Sequence, residues 1–110
     1  MIVAFIPDLL FGSNVVGALK AAGQDVKLVT TLDAGTTDDA DVLIVDLTAD
    51  APERLAALPD RRPPTLAFYS HVETDVRDRA ELAGIDLVVP RSRMAREAAA
   101  LVQKLAAASP

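Results

Sequence analysis

Apolar residues along the chain follow two alternating rhythms. Short, β-branched apolar runs recur at Ile2–Ile6, Val26–Thr30, Val42–Leu47, Thr65–Tyr69 and Leu87–Val89. The first and third are apolar almost throughout, the pattern of strands buried on both faces of a parallel sheet. Between the runs, apolar positions recur every three or four residues, the period of a helix buried along one side. Phe11, Val15, Leu19 and Ala22 form such a stripe, and Gly23 follows as a left-handed C-terminal cap. Asp50, Pro52 and Glu53 read as cap, first-turn proline and capping-box acid of a helix carrying Leu55 and Leu58. Val72, Val76, Ala80 and Ala83 make a further stripe closed by Gly84, and Met94, Ala98, Leu101, Val102 and Leu105 make the last. Strands therefore alternate with helices, which predicts right-handed βαβ crossovers and an open, doubly wound α/β sheet.

One link breaks the alternation. Thr31–Ala40, "TLDAGTTDDA", has no apolar stripe and carries three acids. A helix there is short or missing, and the sheet face beside the second strand is thinly covered. Two readings follow: an open face offered to a partner, or a polar loop packed locally by its neighbours. The proline-rich "PDRRPP" before the fourth strand reads as a rigid loop, and residues 1–110 read as one domain without repeats.

Composition narrows the function classes. At 110 residues the chain is long enough for a core without disulfides or metal. It has no cysteine, which excludes thiolate metal sites and cysteine nucleophiles. A net charge of −5 with interspersed signs, and only 4% aromatic residues, disfavour both phosphate-backbone attraction and base stacking. No nucleic-acid partner is predicted. The start "MIVAFIPDLL" lacks the basic region of a signal peptide, and no apolar run approaches membrane-spanning length. A cytoplasmic protein with no membrane contact is the expectation.

Ligands of open α/β sheets collect at the carboxyl ends of the strands. In this chain those ends hold Asp8, Asp46, Thr48, Ser70, His71, Arg91, Ser92 and Arg93. Residues of these types also end strands as ordinary turn formers. Neither GxGxxG nor GxxxxGK occurs, nor a GxSxG elbow or zinc spacing, so no cofactor and no enzymatic activity are predicted. In "LVVPRSRM", Leu87–Met94, three readings stand side by side. Arg91 or Arg93 pairs with Asp46, or with Asp8, because a basic pair in a helix's first turn opposes the dipole and calls for an acidic partner. Alternatively, the amides after Pro90, capped by Ser92, hold an anion beside the arginines. In the third, Ser92 is a plain N-cap and the arginines are solvated.

Five βα units in this length, with "DVLIVDLTAD" as the third strand and its exit, resemble the receiver domain of bacterial response regulators. "LAFYSH" and "AELAGIDLVV" carry the resemblance through the fourth strand exit and into the fifth strand. It covers nearly the whole chain and implies a flavodoxin-like, five-stranded parallel sheet of order 2-1-3-4-5. It places Asp46 at the phosphoacceptor position and Ser70 at the strand-four hydroxyl. The departures from that pattern are specific. Receivers hold Mg²⁺ with an acidic pair after strand one, where this chain has Pro7 and Asp8. They keep a small residue after the strand-four hydroxyl, where this chain has His71. They end strand five with lysine then proline, where this chain reads Pro90-Arg91. Phosphoryl transfer needs the metal and a placed cation to neutralise developing charge. At most weak Mg²⁺ binding at Asp8 and Asp46, and inefficient phosphorylation, are expected.

The resulting expectation is a stand-alone, atypical receiver-like module for signalling or protein interaction. Its partner, or a second copy, would dock on the helix 4–strand 5–helix 5 face, counting the Thr31–Ala40 link as helix 2. "ETDVRDRAE" and "RSRMARE" give that face both charge signs. The alternative is a small-molecule or anion-binding protein (phosphate or nucleotide) built on the carboxyl edge of the sheet.

Overall fold

The five apolar runs become neighbouring parallel strands, and the central ones find cover on both sides. The computed structural model describes residues 1–33 and 35–108. Its strands are β1 (Ile2–Phe5), β2 (Val26–Val29), β3 (Val42–Asp46), β4 (Thr65–Tyr69) and β5 (Leu87–Pro90). They form one sheet in the order β2-β1-β3-β4-β5, all parallel, as the resemblance implied. Every residue of β1, β3 and β4 is buried, whereas the edge strands β2 and β5 are only partly so. That difference explains the uninterrupted apolar runs of the central strands.

The described helices are α1 (Leu9–Ala21), α2 (Ala51–Ala56), α3 (Thr74–Leu82) and α4 (Arg91–Ala108). Alternate strand residues feed two cores. Ile2, Ala4, Val42, Ile44, Leu66 and Phe68 face α1 and α4, meeting Phe11, Val15, Leu19, Met94, Leu101 and Val102. Val3, Phe5, Leu43, Val45, Ala67 and Tyr69 turn to the other side, under α2 and α3, meeting Ala51, Leu58, Val76 and Ala80. Gly23 and Gly84 take φ of 82° and 84°, the left-handed conformation that ends α1 and α3 where the stripes stop. No helix of the described residues is long and apolar enough to cross a membrane.

Several local expectations are corrected. Of the α3 stripe only Val76 and Ala80 are buried: Ala83 lies exposed just after the helix, and Val72 lies in a turn before it, 74% exposed. The turn is closed by Glu73 N–H donating to the Ser70 carbonyl at 2.8 Å, which delays the helix to Thr74. Asp50 stands at the N-cap of α2, yet its side chain caps nothing. Its backbone is left-handed (φ 50°), outside the extended region a capping residue uses. The α4 stripe is correct in its residues, but Glu97 has non-helical backbone (φ −129°) and interrupts the helix.

The Thr31–Ala40 link forms no helix among its described residues; Ala34 lies outside them. It does not leave the sheet bare. Thr37 is buried, and Leu32 and Ala40 pack with Val29 against the α2–α3 core. The locally packed loop is therefore the reading the structure bears out, and the open partner face is not.

Ile44 is fully buried at the centre of the sheet. Ile44→Ala should cost about 3–4 kcal/mol through lost burial and a residual cavity. Lys27→Ala, on an exposed edge position, should change stability by less than about 0.5 kcal/mol. Urea unfolding followed by circular dichroism checks both.

Candidate functional site

The sheet order reverses between β1 and β3, so their carboxyl ends flank the crevice where doubly wound folds bind ligands. Asp46 is the last residue of β3 and follows four buried apolar residues. It is itself only 2% exposed. A carboxylate so placed must be compensated, because an unpaired buried charge is costly.

The compensation comes from two sources. Thr48 donates its backbone N–H (2.8 Å) and its hydroxyl (2.5 Å) to Asp46 Oδ1. This local turn exploits the short reach of the aspartate side chain. The other oxygen, Oδ2, lies 3.4 Å from Nη1 of Arg54. The same Nη1 donates to the Asp46 carbonyl at 3.0 Å, so one guanidinium grips both main chain and side chain. Arg54 comes from α2 and its side chain is only 15% exposed. Asp50 adds a second, looser acid at 4.0 Å.

Neither arginine of "PRSR" reaches this position. Arg91 instead lies 3.7 Å from Asp8 Oδ2, and its guanidinium carbon stands 4.3 Å from the centroid of the Phe11 ring. Arg93 pairs with Glu97 at 3.3 Å along its own helix. Asp8 also caps α1, accepting from Phe11 N at 3.1 Å. Phe11 in turn packs against Phe68 of β4, with ring centroids 5.0 Å apart. A chain of contacts thus ties the β1 exit, α1, β4 and the β5 exit together. Ser92 is not the N-cap: α4 starts at Arg91, directly after Pro90, and Ser92 falls inside its first turn.

The predicted residues therefore separate into two groups. Asp46 and Thr48 sit with Arg54, under α2. Ser70, His71, Arg91 and Ser92 gather around a depression of about 440 Å³ beside Phe11, with Asp8 at Arg91. Among the described residues, no group of three or more His, Asp or Glu side chains is placed to hold a metal ion. Asp8 and Asp46, the two acids weighed for Mg²⁺, are each engaged by a separate guanidinium.

Arg54 lies inside α2, away from any strand exit, so a search of strand ends does not reach it. A signal was present: Ala51, Arg54, Leu55 and Leu58 fall on one helical spacing. An arginine on a core-facing stripe requires a buried acceptor.

Sheet order and strand–helix alternation define a receiver-like, flavodoxin-like α/β fold. Solved structures of that fold match nearly the whole chain. A response regulator from Thermotoga maritima aligns with a TM-score of 0.77 at 16% identity, over 97% of each chain. A response regulator receiver protein from Burkholderia phymatum gives 0.77 at 18% identity, over 98% of this chain and 95% of that one. The non-phosphorylated HemR receiver domain from Leptospira biflexa gives 0.72 at 16% identity, over 99% and 95%. No protein-family model and no curated protein sequence matches the chain.

Removing Arg54 leaves the buried Asp46 charge without its cation. Arg54→Ala should cost about 3 kcal/mol. Thr48→Val, which removes one hydrogen bond to a charged acceptor, should cost about 1.5–2 kcal/mol. Adding Asp46→Asn to Arg54→Ala should restore part of the loss, because the uncompensated charge is gone. Additive losses in this double-mutant cycle, read from urea midpoints, would show that the two side chains do not interact.

Proposed function

We propose that the chain is one receiver-like module for signalling or protein interaction whose Asp46 no longer accepts phosphoryl groups efficiently. The observation that carries this reading is the double engagement of Asp46. To attack a phosphodonor, a carboxylate must present a free oxygen lone pair toward a metal-bound phosphoryl group. Here Oδ1 already accepts from Thr48, and Oδ2 faces Arg54 in a buried setting. The guanidinium supplies a permanent positive charge where a receiver would gain a divalent ion and a mobile lysine. Arginine's planar, always-charged fork suits a fixed pair more than a switch. The carboxylate end of the sheet is then held in one state.

Signalling in such a module rests on surface recognition. The face formed by α3, β5 and α4 is supported as the docking surface by its exposed mixed charges. Arg77–Glu81 (3.1 Å), Asp75–Arg79 (4.0 Å) and Arg93–Glu97 (3.3 Å) are pairs along single helices. Exposed pairs of this kind add little to stability and remain free to exchange partners across an interface. Leu82 in the last turn of α3 is 89% exposed, the most solvent-accessible of the large apolar side chains among the described residues. A partner or second copy would bury it.

The phosphorylation part is tested by adding Mg²⁺ and beryllofluoride and recording amide NMR shifts near Asp46. The expected result is no saturable shift in the native chain. Shifts that vanish in Asp46→Asn would show a working phosphoryl site and overturn the proposal. For the docking face, sedimentation equilibrium should show concentration-dependent self-association that Leu82→Glu weakens. A monomer across the accessible concentration range would remove the second copy as the partner.

A further inference from the structure

The depression beside Phe11 has chemistry of its own. It opens at the carboxyl edge of the sheet between the start of α1, the β4 exit and the start of α4. Its volume of about 440 Å³ falls within the range of small-molecule sites, about 300–1,000 Å³. Phe11, Ser70, His71, Arg91, Ser92 and Ala95 line it. No carboxylate is among these lining residues, although the chain carries a net charge of −5. The lining instead gathers a guanidinium, an imidazole and two hydroxyls, all able to donate hydrogen bonds.

Two features favour a bound molecule over bulk water. Arg91 is held in advance: its guanidinium lies over the Phe11 ring at 4.3 Å, and Asp8 takes one contact at 3.7 Å. A guanidinium has five N–H donors, so several stay available for a ligand. Holding it in place reduces the conformational entropy lost on binding. The floor is apolar and fixed, since Phe11 is 7% exposed and packs against Phe68. Ser70 is half-buried, and His71 and Ser92 are exposed, so their donors meet solvent until an acceptor displaces it.

We propose that this depression binds a small organic anion. Its carboxylate or phosphate head would be held by Arg91, Ser70, His71 and Ser92, and its apolar body would rest against Ala95 and the small part of Phe11 that Arg91 leaves open to the depression. Asp46 is not among the lining residues. The site therefore goes beyond the reading of Asp46 as an unphosphorylated position and does not depend on it. The apolar floor distinguishes the ligand from inorganic phosphate, which has nothing to place there.

The test is a titration of the ¹⁵N-labelled full chain with phenyl phosphate, benzoate and inorganic phosphate. Phenyl phosphate or benzoate should give saturable shifts confined to the amides of Phe11, Ser70, His71 and Arg91–Ala95. Inorganic phosphate should bind the same place several-fold more weakly. Arg91→Gln should weaken binding about tenfold, corresponding to about 1.4 kcal/mol. Ala95→Trp, on an exposed position, should fill the floor and abolish binding while leaving the fold's spectrum intact. Asp46→Asn should bind as the native chain does. Shifts that never saturate, that spread over Arg61, Arg62 and Arg96, or that survive both Arg91→Gln and Ala95→Trp would overturn the proposal. Equal affinity for inorganic phosphate and phenyl phosphate would overturn its organic part. A beryllofluoride response at Asp46 would overturn the proposed function and leave this inference standing.

Discussion

A strand buried on both faces cannot end in a bare carboxylate. Four buried apolar residues lead β3 directly into Asp46, which sits at 2% exposure. Water is therefore largely replaced by Thr48 and Arg54 as the partners of the charge. This constraint sets the rest of the edge. It draws α2, six residues long, over the β3 exit, because Arg54 must reach back to both the carbonyl and the carboxylate. It also places the left-handed Asp50 in the tight connection between them.

The second organising contact is the Phe11 ring. It is buried against Phe68, capped into helix by Asp8 and covered by Arg91. The basic residue after β5 is thereby spent on α1 and not on β3. Cation–π contact with an aromatic ring and a nearby carboxylate together give Arg91 a stable seat. The two acids that a receiver would combine at one metal are separated into two ion pairs, one on each side of the switch point. The same separation leaves a donor-rich depression beside Phe11 that does not include Asp46.

The fold was legible to a large degree because burial on two faces leaves a mark in one dimension. Val3 and Ile44 face opposite cores, yet both had to be apolar, so their strands read as continuous runs. The α4 stripe and the first three residues of the α1 stripe named residues that face the sheet, while Ala22 lies exposed just after α1; the glycines after α1 and α3 marked the helix ends. Element boundaries were less legible. Val72 has the spacing of α3 but sits in a turn, because the Ser70–Glu73 hydrogen bond competes with helix start. Ser92 looks like a cap, but Pro90 ends β5 directly against α4 and leaves no place for a capping residue after it.

What the sequence by itself determined is the alternation of strands and helices and the set of polar residues at the strand exits, since both follow from local periodicity. Which of those residues meet was decided only by tertiary structure. Arg54, Arg91 and Arg93 have the same chemistry, and each had a plausible acid within reach of the sheet edge. Helix α2 docks over β3, so Arg54 takes Asp46; α1 packs beside α4, so Arg91 at the start of α4 takes Asp8; Arg93 turns along its own helix to Glu97. Helix placement depends on burying whole faces, an energy shared among many residues. No single residue's identity records it, and the choice of ion-pair partner follows from it.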